Sequence, residues 1–92
     1  MQKNELDKLL NMLHQIVKIN NNRLKLIQQF QNHIWNMNDK SPEYEILNEL
    51  AMDLDYYESD TKLRKEASSY YGEDKLIKEI QTAISRINSI SR

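Results

Sequence analysis

The sequence predicts an all-α protein, a compact antiparallel bundle of about four helices. Three observations carry that expectation: apolar residues recur at intervals of three and four along most of the chain; the 92 residues include one Gly and one Pro, too few for many strands and tight turns; and breaks in the periodicity fall at residues that turn or cap helices. A chain of this length builds one hydrophobic core and folds without metal or disulfide staples, so residues 1–92 are expected to form a single helical domain.

The first helix runs from Glu5 to Ile19, with Leu6, Leu9, Leu10, Leu13, Ile16 and Val17 on one face and Asn4 as its cap. Asn20-Asn21-Asn22 repeats a poor helix former three times and predicts a turn between antiparallel helices, with one kinked helix as the alternative. The second helix places Leu24, Ile27, Phe30, Ile34 and Met37 together. Residues 36–40 close it. Ser41-Pro42-Glu43 then opens a third helix: Ser supplies a capping oxygen, Pro fits the first helical position, and Glu favours the positive end of the dipole. Its expected buried stripe is Leu47, Leu50, Ala51, Leu54 and Tyr57, while Glu45, Glu49 and Asp53 follow one another on a different face. Asp60-Thr61 leads into a short helical turn through TKLRKEA. Glu73-Asp74 opens the last helix, whose core residues are Leu76, Ile77, Ile80, Ala83, Ile84 and Ile87.

Charge is unevenly distributed, although the formal net charge is only −1. Residues 1–40 carry +3, residues 41–61 carry −7 with no Lys or Arg, and residues 62–92 carry +3. Within the acidic block, DLDYYESD gathers Asp53, Asp55, Glu58 and Asp60 around Tyr56 and Tyr57. It begins with the D-x-D of an EF-hand loop, but Tyr57, Glu58 and Arg64 occupy the third ligand, glycine and closing glutamate positions. Neither His14 nor His33 has a Glu three residues before it, as a carboxylate-bridged bundle site requires. No metal and no cofactor is expected.

Catalysis is not expected either. A nucleophile needs an activating base, and both histidines lie among Gln, Asn and Leu. Successive acids along an exposed helix lack the burial that general acid chemistry uses. Direct nucleic-acid binding would set phosphates against the acidic block, and the bases of residues 1–40 are scattered enough to act as solvating charges. Zero cysteines, no long apolar run and no secretory leader predict a cytoplasmic protein without a membrane partner.

The acidic block is better explained by a protein partner, because its arrangement harms its own helix. Glu45, Glu49 and Asp53 repel one another, and Asp53, Asp55 and Glu58 crowd the end where the dipole favours cations, each at a cost of about 0.3–1 kcal/mol. Tyr56 and Tyr57, with Tyr70 and Tyr71, add side chains common at binding hot spots, one of each pair being expected in the core. Carboxylates beside tyrosines fit a basic surface, such as a nuclease cleft that must itself attract phosphate.

ILNELAMDLDYYESD followed by KLRKEASSYYGEDKLIKEIQTAISRI, spanning about residues 46–87, resembles the colicin D-type immunity family and related immunity proteins of contact-dependent growth inhibition toxins. Ser59 stands where that pattern has Pro, and residues 65–67 are less acidic. The resemblance implies a small helical cytoplasmic protein that neutralises a cognate toxin, commonly a tRNA-cleaving nuclease domain, by occluding its active site with acids. Asp53, Asp55, Glu58 and Asp60 would carry that contact, with Tyr56, Glu73 and Asp74 beside them; Glu49 and Tyr70 complete the expected partner-binding surface. The rival expectation is a generic helical interaction module or bundle subunit. Oligomeric state is left open.

Overall fold

The computed structural model describes residues 1–18, 22–57 and 72–90. Four α-helices account for most of them: α1 (Lys3–Lys18), α2 (Arg23–Trp35), α3 (Pro42–Asp53) and α4 (Glu73–Ile90). A 3-10 turn, Leu54–Tyr56, extends α3. No strand occurs among the described residues, and no helix among them is long and apolar enough to cross a membrane.

Each helix packs on its neighbour in sequence, and α4 returns to pack on α1 as well as α3. The paired residues set the directions. Glu5 at the start of α1 meets His33 near the end of α2; Tyr44 of α3 reaches Ile34 of α2, while Gln31 reaches Asp55. Both pairs of helices are therefore antiparallel, as short connections between bundle helices favour.

The core follows the three-and-four spacing. Leu9, Leu13 and Ile16 meet Ile27, Phe30 and Ile34, then Leu47, Leu50 and Leu54, then Leu76, Ile80, Ala83 and Ile87. Leu6, Leu10, Val17 and Ile84 pack partly buried at the margin. Fully burying a side chain of this size contributes roughly 1.5–3 kcal/mol, so the bundle rests on these four stripes.

Several expectations change in detail. Helix α1 starts at Lys3, with the Leu6 amide donating to the Gln2 carbonyl, so Asn4 is inside the helix and not its cap. The break between α1 and α2 is real. Asn22 has φ 60°, a left-handed conformation that Asn tolerates better than most residues, and its carbonyl accepts from the Leu26 amide. Ile19, Asn20 and Asn21 lie outside the described residues, as do the TKLRKEA turn and Tyr71.

The largest correction concerns α2. Leu24 is 57% exposed, whereas Arg23 and Gln31 are each 5% exposed. Met37 packs on the core from beyond the helix end. The Arg23 guanidinium donates to the Ile16 carbonyl (2.8 Å) and the Val17 carbonyl (3.1 Å), in the last turn of α1, and pairs with Glu73 at 3.3 Å. Arg23 thus fastens three helices at one end of the bundle instead of merely solvating it.

Helix α3 begins as the sequence indicates. The Ser41 hydroxyl accepts from the Tyr44 amide at 3.2 Å, and Pro42 occupies the first turn. Leu47, Leu50, Ala51 and Leu54 are buried, joined by Ile46, while Tyr57 follows the 3-10 turn in an extended conformation and is half-buried.

Candidate protein-binding face

Helix α3 places the first part of the acidic block. At 100° per residue, Glu45, Glu49, Met52 and Asp53 fall within a sector of about 100°, and all four are exposed. Tyr56 continues the stripe four residues after Met52. Met52 is 55% exposed and Tyr56 45%. Tyr57, next in sequence, packs on the core. One tyrosine of this pair therefore faces solvent and the other the interior.

The acids separate around the helix. Glu49 pairs with Arg86 of α4 at 3.2 Å, both side chains exposed; solvent screening limits such a pair to about 0–1 kcal/mol. Glu49 and Asp53 also border a shallow cleft against Glu79, Thr82 and Arg86. Asp55 turns the other way, toward α2, where its Oδ1 accepts from Gln31 Nε2 at 2.7 Å. The same amide donates to the Ala51 carbonyl at 2.9 Å. Gln31 therefore satisfies a carbonyl in the last turn of α3 and fixes Asp55 beside it.

Glu73 and Asp74 are exposed at the opening of α4. Glu73 is tied to Arg23, whereas Glu49 meets α4 at Arg86. Between Glu73 and Arg86 lie about 20 Å of helix at 1.5 Å per residue, so these acids form two ends of an extended surface. Glu58, Asp60 and Tyr70 lie outside the described residues.

Neither histidine stands beside a nucleophile in the described hydrogen bonds. His14 is exposed on α1. His33 Nε2 pairs with the Glu5 carboxylate in the first turn of α1, a partner 28 residues away that local sequence does not disclose. Among the described residues, no three His, Cys, Asp or Glu side chains are grouped to hold a metal ion. A hollow of about 410 Å³ lies between α1 and α4 and is lined by His14, Val17, Ile84, Ser85 and Asn88. It lies on the α1–α4 side of the ring, away from the exposed stripe of α3.

Three residues do not stand out in the sequence reading: Gln31, Met52 and Trp35. Gln31 reads as one more polar residue in a Gln/Asn-rich helix, and its burial depends on α3. Met52 could have been found from its spacing to Tyr56. Trp35, the chain's one tryptophan and 46% exposed at the end of α2, carried a signal in its rarity. In comparisons with known proteins, the chain matches no family model, no curated protein and no solved structure.

Proposed function

We propose that the chain is an immunity protein, a stoichiometric inhibitor that binds a cognate bacterial nuclease toxin in the cytoplasm and covers its basic cleft. A tRNA-cleaving domain is the first candidate partner. One observation carries the reading: the outer stripe of α3 combines Glu45, Glu49 and Asp53 with the exposed apolar groups Met52 and Tyr56. Its last turn holds no base to offset the dipole. Carboxylates there would replace substrate phosphates in a cleft that is positive because it binds nucleic acid, and the apolar groups would supply the desolvated contact that affinity requires. The resemblance over residues 46–87 points to the same function.

The test is coexpression with the C-terminal nuclease domain of a secreted toxin encoded immediately upstream. A one-to-one complex and rescue of growth are expected. Replacing Asp53, Asp55, Glu58 and Asp60 by Asn or Gln should slow association and flatten its dependence on salt. Protection that survives those replacements unchanged at physiological salt rules out the electrostatic mechanism, and failure to bind the domain at all removes the immunity reading in favour of an adaptor or bundle subunit.

A further inference from the structure

The described residues expose five large apolar side chains: Leu24, Trp35, Met52, Tyr56 and Ile90. Three of them, Trp35, Met52 and Tyr56, flank the seam between α2 and α3. Gln31 and Asp55 face one another across that seam, joined at 2.7 Å. Trp35 is four residues after Gln31 and Met52 three before Asp55, each one turn along its helix. Because the two helices are antiparallel, both steps run toward the same end of the bundle. Met52 adjoins Ala51, whose carbonyl Gln31 reaches, and Trp35 lies one turn beyond Gln31 on the other side of the seam; they are 55% and 46% exposed. Tyr56 lies beside Asp55 and four residues after Met52, which extends the apolar surface along the 3-10 turn. Glu45, Glu49 and Asp53 border it on the α3 side.

We infer that this α2–α3 face, with Trp35, Met52 and Tyr56 as its apolar centre, is the docking surface for a basic protein whose Lys and Arg side chains surround an apolar contact. Charge complementarity decides the occupant. Glu45, Glu49, Asp53 and Asp55 are the acids described along the exposed side of α3 and its 3-10 turn, so a second copy presenting the same face would be repelled, and a phosphate backbone likewise. An apolar centre inside a charged rim is the arrangement that concentrates binding energy at interfaces, with aromatic anchors dominating. Gln31 serves as a positioning residue: buried and bonded to both Ala51 and Asp55, it holds the 3-10 turn that presents Tyr56. The inference rests on the proposed function for the partner's identity, but adds α2 to the contact and assigns its centre to apolar groups rather than acids.

Trp35 provides both the variant and the optical probe. With the nuclease domain as partner, Trp35→Ala and Met52→Ala should each weaken binding roughly tenfold or more, mainly through faster dissociation, while circular dichroism and thermal unfolding stay as in the parent. The Glu45→Gln/Asp53→Asn variant should instead lose association rate and salt dependence. Unchanged affinity in both apolar variants, with binding lost in the acid variant, overturns this inference and leaves the immunity reading standing. If the nuclease domain does not bind, titration with a synthetic amphipathic helix of Lys and Leu decides the matter. A blue shift of Trp35 emission, lost in Met52→Ala and absent with a Lys/Ser helix or a Glu/Leu helix, supports the surface without that partner; no shift overturns it. Self-association of the free protein that buries Trp35 also overturns the assigned occupant.

Discussion

Arg23 stands at the first position of α2, where a cation opposes the dipole of its own helix. Its position becomes intelligible from the other helices, since its guanidinium forks onto the Ile16 and Val17 carbonyls of α1 and reaches Glu73 of α4. A helix leaves its last carbonyls without internal partners, and two of those of α1, Ile16 and Val17, are met here by a side chain that begins the next helix. Arg23→Ala should lower stability by about 1–3 kcal/mol, the cost of leaving buried acceptors unmet. Arg23→Lys should recover only part of this, because an ammonium is a point charge without the planar fork. Urea unfolding of the two variants checks the claim; equal stability of Lys and Arg would show that charge alone matters. Gln31 works similarly at the other seam. Hydrophobic periodicity misses both residues, as a polar side chain buried to serve carbonyls looks the same in sequence as one that faces water. That blindness is why periodicity points Leu24 inward, whereas the structure exposes it and buries Arg23 beside it.

At the scale of the element, α3 is the helix most legible in the sequence, because its start depends on neighbouring residues alone. Ser41 accepts from the Tyr44 amide, its own carbonyl accepts from Glu45, and Pro42 gives up an amide that would have had no partner. Ser41→Ala should cost about 1 kcal/mol, within the 0.5–2 kcal/mol range of such caps, and Ser41→Gly only a few tenths. Denaturant midpoints measured at constant slope test the order; an Ala variant as stable as the parent would mean that the hydroxyl does not act as the cap. The far end of α3 is less legible. Its acids read as one cluster along the sequence, but the helix turns Glu49 toward Arg86 and Asp55 toward Gln31. Knowing which acids share a face required the neighbours on both sides, and those are set by the bundle rather than by spacing.

For the bundle as a whole, four amphipathic stretches are enough to anticipate an all-α core, since each apolar stripe has to meet the others, and the short connections on either side of α2 return each helix beside its predecessor. The connections themselves hold less obvious chemistry. Between α2 and α3, the Ser41 amide donates to Asp39 Oδ1 at 2.9 Å, and the Met1 amine stands 3.8 Å from the other oxygen. The Ser41 hydrogen bond, aided by that amine and opposed by partial desolvation, holds the Asp39 carboxyl below its ordinary value. The sign of the linkage follows. A carboxylate favoured in the folded state adds stability above its ordinary pKa of about 4, and that contribution is lost as pH falls through the lowered folded value. Asp39→Asn keeps an oxygen able to accept from Ser41 but removes the charge, so the parent should be the more stable at pH 7 and the difference should shrink as both are acidified below the ordinary carboxylate range. Urea unfolding of both proteins at pH 7 and in the acid limb measures this directly. A difference that stays constant with pH would mean that Asp39 acts through the shape of the turn alone, whereas convergence in acid ties the joint between the two helices of the proposed binding face to the ionisation of one carboxylate.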